Sequence, residues 1–242
     1  MGELSWQIFL LIGLTATVGA FVQAVVGLGI GLLTAPVVAL VAPSLVPALP
    51  LWLALLVSGS MLAAERAHID WPSIAWALPA RVPGTVVGAW LVSRFTEVQI
   101  GVALAVMVLL AVAVTVHTVA VPVNPATLVT AGFVAGASGT ATSIGGPPIA
   151  LLFQRRPPEV VRATLSVFFF VGVLLSLAGL AVGGTLDRQG AELAAAFAPG
   201  VLVGLLVGIA LRDLMPREAF RRGVLVVCAA SAVALLVRSI VG

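Results

Sequence analysis

Apolar runs long enough to span a bilayer recur from one end of this chain to the other, and no other feature restricts its fold as severely. A run of about 18 or more residues with few charges reads as a membrane helix, because it matches a hydrocarbon core about 30 Å thick at 1.5 Å per residue. Of 242 residues, 61% are apolar and 9% are charged, and the mean hydropathy is +1.23. A soluble domain carries about 25% charged residues, since its surface faces water. A soluble globular fold is therefore excluded. The expected fold is an all-α polytopic membrane protein, a single transmembrane domain over residues 1–242. At about 20 residues per span this length holds about eight spans, with no room for a cytosolic catalytic or nucleotide-binding module.

The pI near 11.0 resembles a nucleic-acid signature, but it arises from a net charge of only +3. All twelve basic residues are arginines, most of them at span ends, where membrane topology accounts for them and no nucleic-acid partner is implied. The single Cys228 lies in the last apolar segment and excludes an intramolecular disulfide. The N-terminus lacks a basic n-region, and the apolar stretch from Trp6 runs well past signal-peptide length, so a retained first span is expected.

Charged and Pro-rich interruptions divide the chain into blocks at roughly 6–42, 46–64, 72–93, 98–118, 126–153, 163–183, 190–211 and 219–241. Blocks one and five exceed one straight crossing: the 37 residues of block one would make about 55 Å of helix. Each is expected to be broken, steeply tilted or re-entrant. Glycine and proline mark the breaks, with Gly27, Gly29, Gly31 and Pro36 in block one and Gly136, Gly139, Gly145, Gly146, Pro147 and Pro148 in block five. Unwound backbone at membrane depth is tolerated only where protein encloses it or a cavity is lined by it, so paired interruptions in two halves point to a transporter binding site. Close helix packing alone could account for Gly27 and Gly31, but it explains consecutive prolines poorly.

A duplication is also expected. Pro83-Gly84-Thr85-Val86-Val87-Gly88 corresponds to Pro199-Gly200-Val201-Leu202-Val203-Gly204, and Asp70 and Asp187 precede the two segments at nearly the same offset. The halves are taken as about 1–121 and 122–242, four spans each. With eight crossings, one face carries Arg94, Arg155, Arg156, Arg162, Arg212, Arg217, Arg221 and Arg222, and the other Arg66, Arg188 and Arg238. The first face is expected to be cytoplasmic, with both termini outside. An even span count makes the repeats parallel; a re-entrant block changes the parity and makes them inverted. Both arrangements stay open at this point.

The chemistry available favours an anion. All nine acidic residues fall in or beside connections, which leaves no buried carboxylate for a cation site. Arg81 lies about nine residues into block three, roughly 14 Å deep. Insertion scales set such a charge at about 2.5–3.5 kcal/mol, so something must compensate it. The alternatives are broken-helix carbonyls or an oxyanion held by the planar guanidinium fork. Arg162 is a topology arginine beside Glu159 or a second anion contact, with Thr164 and Ser166 following. Gln23, Ser138, Thr140, Thr142 and Ser143 flank the breaks, where restarted helices aim free N–H groups at a ligand; alternatively, the hydroxyls bond back to their own helices. Gly29, Gly31, Gly145 and Gly146 supply the approach to backbone. His68 and His117 sit at span ends and Trp52 and Trp76 are weak pathway candidates. No carboxylate at depth orients either histidine and no H-E-x-x-H spacing occurs, so neither an enzyme nor a cofactor is expected.

Four groups of residues, spread along nearly the whole chain, resemble the TauE/SafE sulfite-exporter family of small bacterial membrane transporters. They are Gln23 to Gly31 with Pro36, Ser138 to Pro148, Arg162 to Ser166, and the two Pro-Gly-x-x-x-Gly segments. The glycine triplets depart from the commonest family form, with Gly29-Ile30-Gly31 and Gly145-Gly146-Pro147. The resemblance implies a secondary transporter of a small anionic substrate, sulfite or an organosulfonate such as sulfoacetate, in the bacterial cytoplasmic membrane. A passive anion channel and a carrier of a non-sulfur anion are the alternatives. The lipid bilayer is the expected surrounding partner, and association into a homo-oligomer is compatible with such a chain.

Overall fold

A computed structural model describes residues 5–27, 30–116, 121–212, 214 and 217–241. The described residues form α1 (Trp6–Val26), α2 (Ile30–Val41), a 3₁₀ turn (Pro43–Leu45), α3 (Ala48–Ala64), α4 (Trp71–Arg94) and α5 (Glu97–Val116). The second half follows with α6 (Pro125–Thr142), α7 (Gly146–Phe153), α8 (Pro158–Val182), α9 (Arg188–Leu211) and α10 (Arg217–Val241). Four of these contain spans long and apolar enough to cross a membrane: Trp6–Val26, Glu97–Val114, Pro158–Val182 and Arg188–Leu211.

Local chemistry sets the ends. Ser5, Asp70, Asn124 and Asp187 each accept a backbone N–H from the first turn of the helix that follows, satisfying donors a helix start would otherwise leave free. The two long blocks break after Val26 and after Thr142, whereas Pro36 lies inside α2 and Gly136 and Gly139 lie inside α6. α1 stops at Gly27, whose φ of 84° is left-handed and lets its N–H close on Gln23 O at 2.8 Å. α6 stops at Ser143, φ 63°, and α7 restarts with Pro147 and Pro148 in its first turn, where missing N–H groups break no helical bond.

Close approaches of glycine fix the directions. Gly132 meets Ala77, Gly136 meets Arg81 and Thr85, and Gly88 meets Ala137 and Thr140, so α4 and α6 run side by side in the same direction. Gly13 meets Phe197, Gly200 and Gly204 meet Thr17, and Gly208 meets Phe21 and Ala24, so α1 and α9 do likewise. Side chains there would force the backbones apart, which is the usual service of small residues between membrane helices.

Each broken block is a hairpin. A Cβ on Gly19 of α1 would lie 3.2 Å from both Ile30 Cα and Thr34 Oγ1 of α2, so α2 doubles back along α1. Gly145 returns to within contact of Ala135 and Gly139, and the end of α7 reaches Val121 and Val123, beside the start of α6. The hairpins meet at their tips, where Gly31 abuts the Ser143 carbonyl.

The two ends of the molecule differ. At one, Glu65 after α3 accepts from Arg162 of α8 at 3.0 Å and from Arg212 after α9. Arg156 lies 3.9 Å from Asp70 of the α4 cap, whose N–H donates to Thr164 Oγ1 at 2.9 Å. At the other end Gly190 of α9 packs on Ala48 and Leu49 of α3. Outward-facing positions are apolar, with Trp6, Leu14, Val86 and Leu206 all more than 60% exposed, as a lipid-facing surface requires.

Candidate functional site

A cavity of about 60 Å³ lies where the hairpin tips meet. Gln23, Ile30, Gly31 and Leu32 line it from the first hairpin. Ser143, Ile144, Gly145, Gly146 and Pro147 line it from the second. α3 adds Leu51, Ala54, Val57 and Ser58, α8 adds Phe169 and Val173, and Gly139 and Arg81 complete the wall. The N-terminal ends of α2 and α7 therefore both face it, each with first-turn backbone donors that its own helix does not answer and a positive dipole end. Pro147 and Pro148 remove two such donors from α7, which makes the start of α2 the richer of the two.

Arg81 is the only charged residue among the described lining residues, and it is 1% exposed. Its Nη1–H donates to Phe168 O at 3.4 Å, a long bond, and its Cζ lies 4.7 Å from the Phe168 ring centroid. Nε–H has no acceptor among the described residues. The guanidinium occupies the notch left by the missing side chain of Gly172, and a Cβ on Gly139 would stand 3.2 Å from Nη2. Two glycines on different helices thus make room for one buried cation. A weak carbonyl bond and one ring face leave most of its five donors unanswered among the described residues.

Gln23 holds the first tip together. Its Nε2–H donates to Gly27 O at 3.0 Å and its Oε1 accepts Ile30 N–H at 3.4 Å, so one amide bridges the end of α1 and the start of α2. Ser143 lines the cavity, but its hydroxyl hydrogen goes to Pro47 O at 2.9 Å. Its oxygen can then only accept, contrary to the donor role expected for it.

Of the thirteen residues expected at the site, Gln23, Gly31, Arg81, Ser143, Gly145 and Gly146 come together at the cavity. Gly29 lies outside the described residues. The other six lie away from the cavity lining. Ser138 donates to Val134 O and Thr142 to Ser138 O, each one turn back on its own helix, and Thr140 pairs with Ser176. The bland alternative for hydroxyls in membrane helices holds for Ser138 and Thr142. Arg162 pairs with Glu65 rather than with Glu159, Thr164 receives the Asp70 N–H, and Ser166 donates to Arg162 O. His117 also falls outside the described residues; His68 is exposed, Trp76 is about half exposed, and neither Trp52 nor Trp76 lines the cavity.

Phe168, Ser58 and Gly172 are among the residues that escaped the sequence reading. Ser58 lines the cavity from α3 while donating to Ala54 O at 2.6 Å; a serine inside an apolar block carried a faint signal. Gly172 carried none, since a lone glycine in a membrane helix has many uses and its relation to Arg81 crosses 91 residues.

These features define a helical membrane protein whose broken helices enclose a small electropositive chamber. The chain belongs to the sulfite exporter TauE/SafE family, whose family model matches residues 10–235. That family consists of membrane transporters of the sulfite and anion exporter type. No curated protein and no solved structure matches the chain.

Proposed function

We propose that this protein is a secondary transporter that moves a small oxyanion, sulfite or an organosulfonate such as sulfoacetate, across the bacterial cytoplasmic membrane by alternating access around the two hairpin tips. One observation carries the reading: a fully buried arginine and two helix N-termini converge on one cavity with no carboxylate among its described lining residues. Such a site attracts negative charge from three directions, and a planar guanidinium suits the oxygens of a sulfonate or sulfite group. At about 10–15 Å³ of such space per water molecule, the chamber holds on the order of four to six waters, which suits an ion of sulfite's size. A longer sulfonate needs the chamber to widen.

The packing supports an arrangement of six crossings, α3, α4, α5, α8, α9 and α10, with α1–α2 and α6–α7 as re-entrant hairpins from opposite faces. This replaces the eight crossings expected from block counting, because a hairpin brings the chain back to its own side. Three crossings and one hairpin per half make the repeats inverted. The pairing of α4 with α6 and of α1 with α9 through matching glycines fits that relation. In this arrangement Arg66, Arg155, Arg156, Arg162, Arg212, Arg217, Arg221 and Arg222 share one face, while Arg94, Arg188 and Arg238 share the other. Arg66 and Arg94 exchange faces relative to the block count. The first face remains the cytoplasmic one and both termini remain outside.

The test is labelled-sulfite counterflow in proteoliposomes. Wild-type protein is expected to show saturable flux, as a simple channel would not, and Arg81→Ala is expected to abolish it while remaining monodisperse in detergent. Wild-type rates in that variant reject the anion site.

A further inference from the structure

We infer that the carrier is an obligatory anion exchanger, changing sides only when a small anion sits on Arg81. This deepens the transport reading above and rests on it. The chamber carries a fixed positive charge that nothing in the described protein neutralises. Arg81 is 1% exposed, and among the described residues its Nε–H has no acceptor and its one hydrogen bond runs to a neutral carbonyl at 3.4 Å. The acidic groups just before α4, Glu65 and Asp70, are engaged with Arg162, Arg212 and Arg156 at one end of the molecule. The two helix N-termini facing the cavity add positive potential rather than relieve it.

Alternating access requires a moment when the chamber is closed to both sides. Closing it empty strands an unpaired cation away from water, the costliest state for a buried charge. Closing it around an anion supplies the missing partner and fills the unanswered donors. The empty carrier is therefore the slow one to reorient. Transport out of a vesicle then needs a small anion on the far side to bring the site back, and the second substrate is an anion small enough for a cavity of about 60 Å³.

The experiment compares efflux of labelled sulfite from proteoliposomes of the full-length protein into two media of equal ionic strength. One contains unlabelled sulfite; the other contains gluconate as the sole anion, which is too large for the chamber. Efflux into sulfite is expected to be at least about tenfold faster, a ratio that requires a barrier difference of only about 1.4 kcal/mol. Equal efflux into both media overturns obligatory exchange and leaves the transport reading standing. No movement of label in either medium sinks the transport reading itself. A companion measurement assigns the effect to the arginine: wild-type protein is expected to melt higher in sulfite than in gluconate, and Arg81→Gln to melt alike in both.

Discussion

Gly172 of α8 seats the guanidinium of Arg81 of α4: a Cβ built on Gly172 would overlap Cζ, Nε and Nη1 together. Close approach, rather than backbone freedom, is what this position requires. Gly172→Ala should therefore eject the guanidinium from its notch, although alanine is the better helix former by about 1 kcal/mol. The expected result is a loss of sulfite flux approaching that of Arg81→Ala, with an unchanged circular-dichroism spectrum. Gly223→Ala, which meets nothing within 4 Å, is the matched control and should transport normally. Normal flux in Gly172→Ala means that the seat is dispensable.

Glu65 carries two arginines. With side-chain exposures of 14–22% across Glu65, Arg162 and Arg212, the cluster lies between a surface pair and a buried one. Glu65→Gln leaves two cations facing each other and should lower stability by about 2 kcal/mol, between the ~1 of exposed pairs and the 3–5 of buried ones. Glu192→Gln, which breaks only the exposed pair with Arg188, should change the melting temperature negligibly. Comparable losses in the two variants contradict the cluster as a clamp between α3, α8 and α9.

Ser143→Ala separates binding from architecture. The serine hydroxyl is spent on Pro47 O, so its removal should cost about 1 kcal/mol of stability while sulfite affinity stays within about twofold. Isothermal titration and thermal melting on the same preparation decide the matter. A large affinity loss with intact stability would assign the hydroxyl to the ligand instead.

Gly84 and Gly204 should be equally intolerant. A Cβ on Gly84 collides with the Phe133 carbonyl, and one on Gly204 with the Thr17 carbonyl; neither backbone atom can swing away as a side-chain tip could. Gly84→Val and Gly204→Val are expected to lose the monodisperse peak on size exclusion in detergent. A monodisperse protein from either shows that its helix pair can separate.

The six-crossing arrangement is checked by labelling. In a Cys228→Ser background, Arg66→Cys should react with a membrane-impermeant maleimide only from the cytoplasmic side, and Arg94→Cys only from outside. The eight-crossing arrangement requires the reverse.

The break points of blocks one and five were legible because they are local. Gly27 ends α1 in a left-handed turn, and Pro147 and Pro148 fit only the donor-free first turn of a restarted helix; proline alone does not end a helix, since α4 runs on through Pro79 and Pro83 and α2 through Pro36. Arg81 was legible from its distance along an apolar block, since depth is a count of residues. The roles of Ser138, Thr140 and Thr142 were not legible. Rotation about one helix axis decides whether a hydroxyl meets a cavity, a neighbour such as Ser176, or its own carbonyls, and composition is blind to that angle. The partner of Arg162 was equally hidden, because Glu65 lies 97 residues away while the acid three residues away looked sufficient.

By itself, then, the sequence determined an apolar helical chain interrupted at two places, with one arginine stranded at depth, because hydropathy, backbone permissiveness and burial of charge are properties of each residue and its near neighbours. Only the tertiary structure decided that the interrupted segments double back, that their tips meet, and that Gly172 and Gly139 make room for the arginine between them. Those outcomes depend on which surfaces approach within a few ångströms, and that is set by contacts between helices distant in the chain.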